Sequence, residues 1–132
     1  MPTWREDTIQ ALKNLGGVAH LSEIHKEVEK LYDNKGQVCN IYLKTHDGAV
    51  SVGAHIKGLG KNHKGPDQVN NIICLCPNHH SQFDGYGFYV DSETLEIKGL
   101  DGYEGKKLTV KDGHNIDKEF FKYHYEQYKK HN

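Results

Sequence analysis

Apolar residues in this chain fall in short blocks separated by polar turns, and the spacing within each block changes along the sequence. Trp4, Ile9, Leu12 and Leu15 recur at helical intervals until Gly16-Gly17 interrupts them. Ile24, Val28 and Leu31 share one face of a second helix, for which Ser22 is the expected N-cap. Asp33-Asn34-Lys35-Gly36 reads as a turn. Val50-Ser51-Val52 leads into Ala54-His55-Ile56 as a strand, followed by a loop from Lys57 to Gln68 rich in glycine and lysine. Val69 to Leu75 is largely apolar and reads as a second strand. Pro77 suits the first turn of a short helix carrying His79, His80, Phe83 and Asp84. Phe88-Tyr89-Val90 and Leu95-Glu96-Ile97, joined by Asp91-Ser92-Glu93-Thr94, form an expected hairpin. Leu108-Thr109-Val110 is a further expected strand and Asp112-Gly113 a turn. A helix is expected from Ile116 to Lys130, with Phe120, Phe121, Tyr123, Tyr125 and Tyr128 giving it one packed aromatic face and one solvated face; stacking of these rings on nucleic acid is the alternative reading. The pattern predicts an α+β chain in three parts: a helical segment over 1–34, a core over 35–100, and a strand and helix over 101–132.

Composition narrows this reading. A chain of 132 residues with 36% hydrophobic and 27% charged residues makes one small domain with a modest core, the kind that a metal or a partner often stabilises. Mean hydropathy is -0.79, and no apolar run approaches the roughly 20 residues of a membrane span, so no membrane association is expected. The opening MPTWREDTIQ lacks the apolar stretch of a secretory signal, so a cytoplasmic location is the expectation. Three cysteines argue against a disulfide framework, and Cys74 and Cys76 stand beside two histidines, which favours metal binding. Net charge is -1, unlike a strongly basic nucleic-acid binder, but Lys57, Lys61, His63 and Lys64 concentrate positive charge directly after His55. Arg5 is the only arginine. Guanine readout favours the arginine fork, so weak or shape-based sequence preference is expected.

The chemistry is concentrated in GAHIKGLGKNHKGPDQVNNIICLCPNHHSQFD, from Gly53 to Asp84. His55 ends an apolar strand, Asn71 follows in the second strand, and His80 sits on the short helix with Asp84 one turn further on. His, Asn and His in this order and spacing resemble the HNH, or ββα-metal, endonuclease family. The segment is closest to a sub-type with Ala-His-Ile and Leu-Cys-Pro-Asn-His-His. The resemblance implies a ββα-metal core with flanking helices and a small hairpin, and metal-dependent hydrolysis of DNA phosphodiesters. It implies His55 as general base, Asn71 as the residue that braces the loop and holds the base, and His80 with Asp84 as ligands of a divalent ion, Mg²⁺ or Mn²⁺. Asn70 is the alternative to Asn71 in a shifted register. Many relatives carry a metal-binding Asp or His where this chain has Ala54, so the ion is expected to rest on fewer protein ligands.

The same resemblance implies a structural zinc held by Cys39, Cys76 and His79, with the usual fourth ligand position falling at Gly36 and His46 and Cys74 as alternatives for it; the other reading is that the zinc is lost and the cysteines are merely buried. The segment TWREDTIQALKNLGGVAHLSEIHKEVEKL also resembles the opening of winged-helix modules found beside some bacterial nucleases, though no third helix or wing follows. A helical pair packed on the core or at a dimer contact is the plainer reading. The expected function is therefore a bacterial or phage endonuclease of restriction or defence type acting on DNA. Duplex cleavage needs two active sites, so a homodimer is expected. The alternative is a non-catalytic nucleic-acid-binding module on the same scaffold, favoured by Ala54 and the incomplete zinc set.

Overall fold

Two strands set the frame. β3 (Val52–His55) pairs antiparallel with β4 (Ile72–Leu75) in the register Val52↔Leu75, Gly53↔Cys74, Ala54↔Ile73 and His55↔Ile72. The computed structural model describes residues 19–132, so the first expected helix, with Trp4, Ile9, Leu12 and Leu15, lies outside the described residues. Every residue of β4 is inaccessible to solvent. Successive side chains of a strand point to opposite faces, so β4 feeds two cores at once. Ile73 and Leu75 join Ala54, Ile56, Phe83, Phe88, Val90, Ile97 and Phe121. Ile72 and Cys74 point the other way, against Val28 and Tyr32. A strand covered on both faces carries apolar residues at every position, which is why Ile72-Ile73-Cys74-Leu75 shows no alternation. Each large aliphatic side chain so buried contributes about 1.5–3 kcal/mol.

Flanking elements supply the two covers. On one side lies α1 (Ala19–Leu31), in which Val28 is buried and Ile24 partly so. The helix starts before Ser22, which is therefore an interior residue and not the N-cap. Leu31 is also outside the core, 37% exposed, and Tyr32 fills its place. The chain turns at Asp33 and Asn34, both at positive φ (51° and 59°). The exposed two-stranded hairpin of β1 (Lys44–Thr45) and β2 (Gly48–Ala49) was not expected from the apolar pattern; Asp47-Gly48 was its only signal. On the other side α2 (Pro77–Asp84) turns His79 and Phe83 inward. The hairpin of β5 (Tyr89–Val90) and β6 (Ile97–Lys98) and then α3 (Lys118–His131) complete the larger core.

Four local expectations change for physical reasons. Val69–Asn71 is one turn of 3₁₀ helix, so β4 begins only at Ile72. His114 holds this turn, its Nε2 donating to the carbonyls of Ile72 (2.9 Å) and Val69 (3.2 Å) while Tyr32 Oη donates to its Nδ1 (2.5 Å). The second hairpin is shorter than expected, and its return strand pairs two residues later: Val90 faces Ile97 and Tyr89 faces Lys98. The side chain of Asp91 organises the turn by accepting from the amides of Glu93 and Thr94, which lowers its pKa. Leu108-Thr109-Val110 forms no strand: Leu108 N bonds Leu95 O and Thr109 N bonds Gln37 O, so its bonds go to two different elements. The last helix starts at Lys118, capped by Asp117, whose side chain accepts from Glu119 N.

The expected aromatic face of α3 is packed. Phe121 is buried, and Tyr125 and Tyr128 lie against Tyr89 at ring separations of 4.5 and 4.8 Å. His124 stacks on Phe83 (3.7 Å, 1°) and donates from Nε2 to the Phe83 carbonyl at 2.9 Å. Burial holds its pKa down at about 4. The unfolded chain therefore takes up a proton on this residue near its ordinary pKa of 6.5, whereas the folded chain does so only near 4. Stability from this site is complete above pH 6.5 and is lost as pH falls toward 4, by about 3 kcal/mol at most. Burial of His114 lowers its pKa and acts in the same direction. Urea titrations at stepped pH should show this decline, and His124→Phe should flatten part of it.

Candidate nuclease site

The site starts from a side chain that does no chemistry. Asn71 is fully buried at the entry to β4. Its Oδ1 accepts from Lys57 N at 2.8 Å, and its Nδ2 donates to the carbonyls of Lys57 (2.9 Å) and Pro66 (2.8 Å). One amide thus clamps both ends of the 57–66 loop. Of the two adjacent asparagines only Asn71 does this; Asn70 leaves its buried Oδ1 without a hydrogen-bond partner. The loop closes tightly. A Cβ at Gly65 would meet Lys57 O at 2.1 Å, so only glycine fits there, and Gly65 N donates to Gly58 O at 2.7 Å.

The clamp brings Asp67 to His55. His55 ends β3 half-buried, and its Nε2 lies 2.9 Å from Asp67 Oδ1. His25 of α1 also reaches this point, its Nε2 standing 3.4 Å from His55 Nε2 and 3.7 Å from Asp67 Oδ1. The approach depends on Gly53, where a Cβ would come within 2.9 Å of His25 Cβ. The basic residues of the loop divide into two kinds. Lys61 and Lys64 are exposed. Lys57 lies over the Tyr123 ring at 4.6 Å, and His63 Nδ1 accepts a short hydrogen bond from the Tyr123 hydroxyl.

His80 and Asp84 meet across one turn of α2, Nε2 to Oδ2, at 2.9 Å, both accessible to solvent. The carboxylate's hydrogen bond raises the His80 pKa against the opposing effect of burial. An imidazole and a carboxylate brought together in this way suit a divalent ion, which would take the place of the proton between them. The described residues hold two groups of three donors within mutual ligand reach, and neither includes His80 or Asp84.

One of these groups is Cys39, Cys76 and His79. Cys76 Sγ lies 3.4 Å from His79 Nδ1; burial lowers the His79 pKa and raises that of Cys39. Two thiols and a neutral imidazole fit a zinc-class ion. Neither His46 nor Cys74 joins them. Gly36 does face the group, since a Cβ there would sit 3.1 Å from Cys39 Sγ and 2.9 Å from Cys76 N. That crowding explains the glycine. The other group is His25, His55 and Asp67. The sequence reading missed His25, which reaches the site only by packing of α1 on β3, and left Asp67 as a loop residue after Pro66.

The strand–loop–strand–helix frame has counterparts among known proteins. Residues 37–91 match the model of the HNH endonuclease family, and the fold over this stretch is α+β, an antiparallel strand pair followed by a short helix. A solved structure, the modification-dependent TagI restriction endonuclease, is similar over 80% of this chain with 35% sequence identity and a TM-score of 0.71. The chain spans only 37% of that protein's length. No curated protein matches the chain.

The clamp generates a direct expectation. Asn71→Asp keeps the shape but sets a carboxylate oxygen against the carbonyls of Lys57 and Pro66. Replacing two buried hydrogen bonds by repulsion should cost about 3 kcal/mol or more in urea unfolding at pH 7, and the Lys57 amide should exchange faster with deuterium. A change below about 1 kcal/mol would rule out the bracing role.

Proposed function

We propose that this chain is the nuclease unit of a metal-dependent DNA endonuclease of restriction type. The observation that carries the reading is the buried Asn71 clamp, which holds His55 at the strand end beside Asp67 on an HNH frame. The unit proposed is the core over 35–100, with 1–34 and 101–132 as flanking supports.

His55 acts as general base, taking a proton from the attacking water. Asp67 stabilises the imidazolium so formed, being 2.9 Å from its Nε2. Asn71 is a positioning residue that fixes the backbone on either side of the loop. His80 and Asp84 would hold the divalent ion, Mg²⁺ or Mn²⁺. When bound, such an ion neutralises charge developing on the phosphate. Lys61 and Lys64 extend into solvent where they can meet DNA phosphates, and Lys57 and His63 support that surface through Tyr123. Two copies acting on opposite strands would cut a duplex, which makes a homodimer the proposed assembly. Among the described residues no helix is long and apolar enough to cross a membrane, in keeping with an enzyme acting on DNA in the cytoplasm.

Plasmid DNA, unmodified and modified, incubated with the chain and Mg²⁺ or Mn²⁺ should be nicked or cut, and EDTA should stop the reaction. His55→Ala should lower the rate by about 10²–10⁴-fold. Full activity in His55→Ala would refute the base assignment. DNA binding without cleavage under any divalent ion would establish the alternative, a non-catalytic binding module, which Ala54 favours by removing a common metal ligand.

Cys39, Cys76 and His79 are proposed to hold a structural zinc, with its fourth position open to a ligand from outside this trio. Protein purified without chelator should carry zinc, and Cys76→Ser should carry about one equivalent less and melt at lower temperature. Equal zinc content in both would mean that these are only buried thiols.

A further inference from the structure

We propose that His25, His55 and Asp67 form a separate site for a zinc-class transition ion, and that filling it takes His55 out of service as a base. The inhibitory half of this statement rests on the nuclease reading above; the binding half does not.

The geometry is the first support. Three donor atoms from three separate parts of the chain, helix α1, strand β3 and the loop, converge at separations of 2.9, 3.4 and 3.7 Å. Zinc binds imidazole nitrogen and carboxylate oxygen at about 2.0–2.2 Å, which places the ligands of a tetrahedral ion about 3.3–3.4 Å apart. The three observed separations average to that edge. A point about 0.6 Å out of the plane of the three atoms lies about 2.05 Å from each of them, near the height a tetrahedral ion takes above three of its ligands. The ion therefore fits without any of the three moving far. The side chains are 20%, 16% and 28% exposed, so they are held yet reachable.

Packing gives the second support. Gly53 leaves no Cβ between His25 and the strand, and one placed there would come within 3.1 Å or less of three His25 atoms. This close seat fixes the ring of His25 edge-on to His55, with centroids 4.8 Å apart. Asp67 is fixed from the other side by the Asn71 bond to Pro66 O. Both partners of His55 are thus held by contacts independent of any ion.

Donor chemistry separates this site from the ion that assists hydrolysis. Two imidazoles and one carboxylate suit Zn²⁺, Co²⁺ or Ni²⁺, whereas Mg²⁺ prefers six oxygens. An ion here displaces the His55 Nε2 proton that Asp67 accepts; the neutral ring then keeps its proton on Nδ1 and has no lone pair left for water, and the Asp67 charge is consumed by the ion. His25 lies outside the family match at residues 37–91 and has no part in the proposed hydrolysis.

The test uses the full chain stripped of metal and titrated with Co²⁺, followed by visible absorption and by equilibrium dialysis. Wild type should bind about one ion more than His25→Ala or the bulkier His25→Gln. The lost d–d absorption should leave the thiolate-to-cobalt charge-transfer band of Cys39 and Cys76 in place, which also reports that each variant is folded. Equal binding and equal spectra in wild type and both variants would overturn the site. In the second arm, Zn²⁺ added to the Mg²⁺-dependent cleavage reaction should slow wild type at least tenfold. His25→Ala should retain Mg²⁺-dependent cleavage, and added zinc should slow it less than about twofold. Equal inhibition of both, or acceleration of wild type by zinc, would overturn the inhibitory assignment. If the chain cuts no DNA at all, the nuclease reading fails while the cobalt titration still decides the site.

Discussion

The side-chain amide of Asn71 is the constraint on which the site depends. It is buried, it cannot be hydrated, and all three of its bonds go to backbone groups at the two ends of one loop. A buried amide left unpaired costs more than its bonds return, so the loop ends are held wherever the amide is. Because Asn71 immediately precedes β4, the loop is referenced to the most deeply buried strand of the chain. Position is thereby passed from core to chemistry: β4 fixes Asn71, Asn71 fixes Pro66 and Lys57, and these fix Asp67 and the exit of His55.

The two-sided burial of β4 explains why so small a chain needs its flanking helices. A two-stranded sheet has no stability of its own, and each face of this one is closed by helices. Cys74 is also tied at its outer edge: Gln37 donates its backbone N–H to the Cys74 carbonyl, and its side-chain oxygen accepts from Cys74 N. Covering the Ile72 and Cys74 face with α1 has a chemical consequence, because the same packing carries His25 to His55. Support and site are therefore not separable parts of this molecule. A change on α1 that loosens its seat on Gly53 alters the surroundings of the base without touching the motif.

The sequence made some of this legible and hid the rest, for identifiable reasons. The strand–loop–strand–helix order was readable because β4 is apolar at every position, Pro77 marks a helix start, and Gly and Pro punctuate the loop. Asn71 was readable as a bracing residue through the family resemblance. The start of β4 was not: Val69 is apolar like the strand residues, and only the His114 bonds, formed from far along the chain, show that it belongs to a 3₁₀ turn. Leu108-Thr109-Val110 has strand-like composition, but no neighbour offers it a ladder. His25 gave no signal at all, since its role arises when a helix meets a glycine distant in sequence. Asp67 sat in view after Pro66, yet a lone carboxylate in a loop has no assigned direction until the loop is closed.

Three donor sets of different softness now stand within one small domain, and their composition predicts how ions distribute among them. On the sites proposed above, the thiolates of Cys39 and Cys76 with His79 would favour zinc most strongly; the two imidazoles and carboxylate around His55 would follow; the single imidazole and carboxylate of His80 and Asp84 would hold an ion weakly and leave most of its shell to water and phosphate. Weak holding suits a hydrolytic ion, which must exchange oxygen ligands during each turnover. The imidazole-rich set beside the base has the opposite character, binding firmly where mobility is needed. Ala54 sharpens the contrast, because a carboxylate or imidazole at that position would have drawn the hydrolytic ion towards β3. With alanine there, the donors grouped with His55 among the described residues are His25 and Asp67. On the two proposals above, whether a proton or a metal ion lies between those three residues would decide whether His55 can serve as base.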